Sequence, residues 1–423
     1  MNFHKVLDLL YFDLLDLELI LNWNHEDCHG FYPTQTVFET DIIMNFKNIE
    51  ENFPTDKIYL NNASVSMMPT SSINNMKDFL LTYDKIGPDS TESEQFIKEL
   101  WIKTRKTVSE LIKCKSDEIV LTQSTTDGIN IVANGLKFET DSNIVIRGKN
   151  HEHHANYFPW LRLAKKIDLR NLQIDQNGSF SITNLHKLVN EKTKLVALSH
   201  GLYNTGQILP VGEIGEFLKS KNIPYFLDTA QTVGCVGDFD FPKTNCDFMA
   251  FNGSKWLCGP MGTGVFYCKR NSSDLLEPIG IGGESAIQHD DELVFMNSPE
   301  KFQAGFRNYV GLVGMESSIR YLLDIGLVNI RNHIIKLSNI FRDEISKIPG
   351  VTIFGPDDES CRTSIVSFEI KDLKPEYVVK RLEEKEIIIA KREILQKKVL
   401  RISPHLFNSE LQIMKTVEEL KKM

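Results

Sequence analysis

Two stretches of this chain, Tyr225-Phe-Leu-Asp228 and Phe248-Met-Ala-Phe251, constrain its fold more than any other feature. Each is a short apolar run that stops abruptly in polar groups: Asp228-Thr-Ala-Gln231 after the first, Asn252-Gly-Ser-Lys255 after the second. Short apolar runs bounded this way read as strands buried on both faces, the habit of a parallel sheet covered by helices. The pattern recurs along the chain. Glu118–Thr122 precedes a helical Asp127–Asn134, Asn143–Arg147 precedes a helix near Phe158–Lys166, and Leu195–Ser199 precedes Ile214–Lys221. Pro224–Asp228, Phe248–Phe251 and Gly264–Cys268 follow. Such alternation predicts an α/β fold with a mostly parallel sheet and a ligand site beyond the carboxyl ends of its strands.

After about residue 305 the character changes. A long helical stretch from Gly311 to Leu327 and on through Ile345 leads into strands at Ser364–Ile370, Glu386–Ile389 and Val399–Ser403. Helices are predicted over Glu376–Lys385 and from Ser409, so this part reads as a smaller α+β lobe. The expected division is a large domain over 44–304, whose residues 44–57 pack on the small domain, and a small domain over 305–423. At 423 residues two closely packed lobes are a sensible prior. Residues 1–43 read as an extension peripheral to function. Its apolar Leu9-Leu10-Tyr11-Phe12 is interrupted by Asp8, Asp13, Asp16 and Glu18, too short and acidic for a membrane span. Net charge is −9 and no long basic block occurs, which removes electrostatic support for nucleic-acid binding. Seven cysteines without paired spacing, and no signal peptide, point to reduced thiols in a cytoplasm.

An acid and a lysine delivered from the ends of neighbouring strands suit a pyridoxal phosphate site. The lysine can hold the aldehyde as a Schiff base, and the carboxylate can keep the pyridine nitrogen protonated. Taken alone, Lys255 is a surface lysine and Asp228 a turn or N-cap acid. Together, Asp228-x-x-Gln231 followed by Lys255-Trp-Leu-Cys-Gly-Pro-Met-Gly262 resembles the class V aminotransferase family. These are fold-type I pyridoxal phosphate enzymes, among them cysteine desulfurases, selenocysteine lyases and isopenicillin N epimerase-like proteins. The resemblance runs from about Ile58 to the C-terminus. It implies a large domain with a mostly parallel sheet of the seven-stranded type, a smaller α+β C-terminal domain, and pyridoxal 5′-phosphate as cofactor.

Further residues take roles from the resemblance. Lys255 is the Schiff-base residue and a general base, Asp228 the partner of the pyridinium nitrogen, and Gln231 and Asn204 the contacts to the ring's phenolic oxygen. Thr125-Thr126-Asp127-Gly128 opens a helix whose free N–H groups attract phosphate, so Thr125 and Thr126 form the phosphate cup; by themselves they read equally as an N-cap. Asn252-Gly-Ser254 departs from the family's commoner Ser-Gly-His, and the Ser254 hydroxyl stands where a phosphate-binding histidine often is. Glu152-His153-His154-Ala-Asn156 is similar to a family segment whose histidine lies against the ring; His153 takes that role, with His154 as the alternative. Arg401 is expected to grip the substrate α-carboxylate, with Asn62 of Ile58-Tyr-Leu-Asn-Asn62 also at the substrate. Ile281-Gly-Gly-Glu284 occupies the place of a loop that the partner subunit lends to the phosphate, which implies a homodimer with composite sites.

Metal is not expected. His151-Glu-His-His154 lacks the zincin spacing, because Ala155 stands where the second histidine would fall. The substrate is expected to be a small amino acid, with aminotransferase or lyase chemistry. Cysteine desulfurase or selenocysteine lyase activity is the alternative, although Ala390–Leu400, ahead of Arg401, holds no cysteine. Cys361, directly before a strand, is expected to be buried, and Cys258 lies in a tight Gly-Pro turn. A catalytically silent scaffold and a zinc protein are readings from other classes.

Overall fold

A computed structural model describes residues 47–148, 152–174 and 181–423. Seven strands form the central sheet: β1 (Ile119–Thr122), β2 (Asn143–Ile146), β3 (Asp168–Asn171), β4 (Thr193–Ser199), β5 (Tyr225–Asp228), β6 (Phe248–Asn252) and β7 (Gly264–Cys268). Their spatial order is β1-β7-β6-β5-β4-β2-β3. The β3/β2, β2/β4, β4/β5 and β5/β6 pairs are parallel; only β7 runs against its two neighbours. The residues of β2, β5 and β7 are all buried, as expected of strands covered on both faces. Val120, Ile144, Phe226, Phe248, Phe266 and Trp160 form one continuous core through this sheet. The edge strand β3, Asp-Leu-Arg-Asn, lacks an apolar run, and sequence reading does not find it.

Helices α1 (Thr70–Ile86) and α2 (Thr91–Ile112) pack against a later helix, Tyr309–Ile325. Between them in the chain lies α3 (Thr125–Gly135), capped by Ser124, whose Oγ accepts from Asp127 N at 3.1 Å. Asp127 Oδ2 accepts in turn from Gln123 N at 2.9 Å, so the cap is not a threonine, and the Thr125 and Thr126 hydroxyls are released from that duty. Gly264 opens β7 where a Cβ would lie 2.6 Å from Ser124 N, and only glycine lets the strand pass this close to the helix start.

The long helical stretch expected to run from Gly311 through Ile345 is two helices, α4 (Tyr309–Ile325) and α5 (Leu327–Ile345). Gly326, at φ +89°, ends the first by donating to Leu322 O, and the chain turns there. A second sheet of four antiparallel strands follows, in the order β8 (Val351–Phe354), β9 (Val366–Ile370), β11 (Lys397–Ile402), β10 (Ala390–Ile394). Helix α6 (Pro375–Glu383) and helix α7 (Glu410–Lys421) belong to the same region. They share with these strands a second core that includes Phe341, Phe368, Val378, Ile402 and Val417. Ile58–Tyr59 pairs in parallel with Ile387–Ile388, and Gln412 donates to Glu50 at 2.7 Å, so the first described residues lie against this C-terminal part. The 1–43 extension lies outside the described residues. Among the described residues no helix is long and apolar enough to cross a membrane.

Candidate active site

The loops after β1, β2, β4, β5 and β6, and the turn before β7, meet at one edge of the sheet. There they enclose a cavity of about 230 Å³. Eight of the residues singled out from sequence line it: Thr125, Thr126, His153, Asp228, Gln231, Asn252, Ser254 and Lys255. Because β7 alone is reversed, its beginning and the ends of the others share this edge, which is where an open α/β sheet offers a crevice.

One end of the cavity is built for an anion. Asn252 Nδ2 donates to Thr125 Oγ1 at 3.1 Å and Ser254 Oγ donates to Asn252 Oδ1 at 3.4 Å, tying the end of β6 to the first turn of α3. First-turn N–H groups of a helix have no partner within it, and with its partial positive charge they suit phosphate.

The other end carries the acid and the lysine. Asp228, the last residue of β5, is buried, and its Oδ1 accepts from Ala230 N at 2.9 Å. Burial pushes its pKa up, against the pull of that N–H and of Lys255. Lys255 is held down to about 8, first by burial and then by the nearby Arg401 and Arg392, with Asp228 opposing them. Among the described residues it has no carboxylate within ion-pair distance. His153 forms a side wall, its ring edge-on to Tyr203 at 5.2 Å, and its Nδ1 accepts from Ala155 N at 3.2 Å. Burial and the positive groups around it, Lys255 first, lower its pKa to about 4, so the imidazole is neutral at physiological pH. His154 points elsewhere, stacked on Phe158 at 4.4 Å beside a neighbouring hollow lined by Glu393 and Gln396. His151 lies outside the described residues.

Other expected residues are placed differently. Gln231 is on the wall, but its amide is engaged, donating to Ala63 O and accepting from Trp256 Nε1, both at 2.9 Å. Asn204 does not line the cavity; its Nδ2 donates to Glu393 O at 3.0 Å, and its Oδ1 is buried without a partner. Asn62 is fully buried, donating to Ser403 O at 2.9 Å and accepting from Ser66 Oγ at 2.8 Å, so both ends of its amide serve the fold. Its neighbour Asn61 takes the position expected of it, accepting from Arg401 Nη2 at 3.0 Å.

Arg401 is also off the cavity wall and 1 % exposed. It donates to Tyr203 O at 2.7 Å and Ser64 Oγ at 2.7 Å, while its Nε has no partner. Arg392, which the sequence reading gave no role, donates to the same Ser64 Oγ. Neither guanidinium meets a carboxylate among the described residues. Arg392 is half-buried, but Arg401 is a buried cation without a counter-charge, which is costly, and a substrate carboxylate would relieve that cost. Glu152 is a second residue without an assigned role: it lines the cavity, is 2 % exposed, and accepts from Ser199 Oγ at 2.5 Å. An acid flanked by histidines was legible in the sequence, but its burial was not.

No described cysteine lines the cavity. Cys258 is buried, its Sγ 3.3 Å from His405 Nε2, and burial pushes its thiol up to about 12. Cys361 is half-buried rather than buried, because it sits in a surface turn beside Asp358 and Ser360. The segment ahead of Arg401 is the tight hairpin β10–β11, closed by Leu395 and Gln396 at φ +48° and +70°. Among the described residues no cluster of three or more His, Cys, Asp or Glu could hold a metal.

Three features suit pyridoxal phosphate: a helix N-terminus with hydroxyls for the phosphate, a lysine of depressed pKa for the aldehyde, and a buried acid for the ring nitrogen. A family model described as aminotransferase class-V matches residues 58–413. A protein of Methanothermobacter thermautotrophicus named probable cysteine desulfurase is 32% identical over 348 residues, covering 81% of this chain and 86% of the relative. The apo structure of a cysteine desulfurase from Thermococcus onnurineus NA1 superposes with a TM-score of 0.83 at 28% identity, covering 89% of this chain and 97% of that one. A cystine C–S lyase, C-DES, in complex with cysteine persulfide shares the fold with a TM-score of 0.81 at 23% identity, covering 87% and 98%.

Proposed function

The chain belongs to the aminotransferase class-V family and is a pyridoxal phosphate-dependent enzyme, and from that premise we propose that it acts on a small amino acid through Lys255, by aminotransferase or lyase chemistry. The observation that carries this reading is the convergence of Lys255, Asp228 and the start of α3 on one cavity. When bound, the cofactor supplies an aldehyde that joins amines and a ring that accepts the electron pair freed at the substrate Cα. Lys255 Nζ is the group for the aldehyde and takes and returns the Cα proton. Asp228 holds the proton on the ring nitrogen, and His153 covers the ring as a neutral imidazole. Thr125, Thr126, Asn252 and Ser254 hold the phosphate with the first-turn N–H groups. Arg401 binds the α-carboxylate, supported by its partnerless Nε. Gln231 and Asn204 serve the phenolic oxygen, Gln231 with its remaining amide hydrogen and Asn204 after a shift. Asn62 supports the substrate pocket through the chain at Ser66 and Ser403.

The names of the relatives favour a second reading, carbon–sulfur cleavage of cysteine. The cavity wall and the tight β10–β11 hairpin support a version in which no described thiol of the chain receives the sulfur. We further infer a homodimer with shared sites. Ile281, Ile287, Leu293, Phe295 and Phe306 are exposed large apolar side chains around the Ile281–Glu284 loop, as a covered face would have. A large domain over 44–304, its residues 44–57 packing on the small one, and a small domain over 305–423 are supported by the separation of the seven-stranded sheet from the four-stranded one. The six described cysteines are free, in keeping with a reducing cytoplasm. With a net charge of −9, no nucleic-acid partner is proposed, nor is a membrane partner.

The test is a visible absorption spectrum of purified protein with pyridoxal phosphate, before and after borohydride, for wild type and Lys255→Ala. A band that borohydride removes and the variant lacks is expected. A wild type that stays colourless would leave only a silent scaffold. A panel scored for keto acid, alanine, sulfide and racemised product then identifies the reaction. Sulfide from L-cysteine should be equal for wild type and a Cys258→Ala/Cys361→Ala double variant.

A further inference from the structure

Among the described residues lining the cavity, Glu152 is the only acid besides Asp228. A directional chain of hydrogen bonds ends on it. Trp160 Nε1, which can only donate, gives to Asn156 Oδ1 at 2.9 Å. That orients the amide so that Asn156 Nδ2 gives to Ser199 Oγ at 3.3 Å, and the Ser199 hydroxyl must then give to Glu152 Oε1 at 2.5 Å. Oε1 also accepts the His153 main-chain N–H at 3.0 Å. Both acceptor positions of Oε1 are filled, while Oε2 is enclosed and has no protein partner. An enclosed carboxylate oxygen without a donor is unfavourable, and a second negative charge in the wall that holds Asp228 adds to the cost. A proton on Oε2 removes both.

We propose that Glu152 is a positioning residue that works as a neutral acid: Oε1 fixes His153 and the end of β4, the proton stays on the enclosed Oε2, and Asp228 stays the only negative charge behind the molecule that fills the cavity. The inference rests on the cofactor reading above for what fills the cavity. The groups facing Glu152 agree with it. Asp228 on β5 is like-charged, Tyr203 after β4 is neutral, and His153 beside it is held neutral. His154 and Glu393 line the adjoining hollow, and the one cation that favours ionisation is Arg147, at the end of β2, helped by the hydrogen bonds from Ser199 and the His153 main-chain N–H. Burial and Asp228 outweigh Arg147 and the two hydrogen bonds to Oε1 and raise the Glu152 carboxyl to about 7.

A carboxyl whose pKa rises on folding holds its proton more tightly folded than unfolded, so its contribution to stability is present at low pH and lost as pH rises through about 7. The experiment compares cofactor-free wild type, Glu152→Gln and Glu152→Ala by thermal unfolding at about pH 6 and about pH 8.5, then by titration with pyridoxal phosphate. The melting temperature of wild type should fall more over this interval than that of Glu152→Gln, whose amide cannot ionise. Glutamine keeps the acceptor that fixes His153 and the end of β4, so at the lower pH it should bind the cofactor within about threefold of wild type; alanine should bind about tenfold more weakly. Equal pH responses of wild type and Glu152→Gln would overturn the proposal. So would a glutamine variant that binds as poorly as alanine at the lower pH. A wild type that binds no pyridoxal phosphate would instead overturn the cofactor reading, while the melting comparison still decides the protonation of Glu152.

Discussion

Lys255 is set against burial and two guanidinium groups, and its reactivity follows from that balance. Arg401 and Arg392 lower its pKa, Asp228 raises it, and the result lies near 8. Only the neutral amine attacks an aldehyde, so uptake of pyridoxal phosphate by the cofactor-free protein should quicken as pH rises through about 8 and level off above it. Stopped-flow absorbance reads this directly. Arg401→Gln removes one of the depressing charges and should move the rise to higher pH. Arg401→Lys keeps the charge but loses the planar fork, so the pH midpoint should stay while KM for the amino acid rises about tenfold or more. Steady-state kinetics across the same pH range separates the two effects.

Element geometry matters most where α3 begins. Its free N–H groups are useful only if the turn at Ser124 stays where β7 passes beneath it, and Gly264 permits that passage. Gly264→Ala places a methyl against Ser124 N, Cα and C, all of them backbone atoms that cannot swing aside. Overpacking of this kind costs roughly 1–3 kcal/mol. Denaturant unfolding should show that loss, and pyridoxal phosphate should bind more weakly because the helix start has been pushed from the cavity. If stability falls with cofactor affinity unchanged, the N-terminus of α3 is not the phosphate site. The β10–β11 hairpin works in the opposite direction: its two-residue turn leaves no slack ahead of Arg401, so the arginine is carried on a short, fully paired strand.

At the scale of the whole molecule, the apolar face around Ile281–Glu284 decides whether one chain suffices. Phe306 is 82 % exposed and Leu293 54 % exposed, an unfavourable arrangement for a lone chain in water. Wild type is expected to sediment as a dimer. Phe306→Asp with Leu293→Asp should yield monomer and, because the loop on that face is read as completing the partner's site, should also weaken cofactor retention. Sedimentation velocity with absorbance at the cofactor band reports both. A wild type that sediments as a monomer while retaining cofactor would remove the shared-site reading.

The seven-stranded sheet was legible wherever strands are covered on both faces, because burial there demands uninterrupted apolar runs such as Tyr225–Leu227 and Gly264–Tyr267. Polar residues stopping those runs, Asp228 and Lys255 above all, marked the end of the sheet at which the cavity lies. Where solvent satisfies one edge, as at β3, composition carries no such demand and the strand was invisible. Adjacency across distant segments was equally hidden. Asn61 and Asn62 are interchangeable as letters, and only the pairing of Leu60 with Ser403 decides which one meets Arg401. The same holds for Glu152: its identity was in the sequence, but its charge state depends on Asp228, Arg147 and Ser199, which other strands deliver to it. Periodicity and motif order therefore determined the sheet and the family, and singled out the lysine proposed for the aldehyde. Which polar atoms are paired, which are left over, and which acid keeps its proton was decided only when the chain folded, because those properties belong to pairs of residues far apart in sequence.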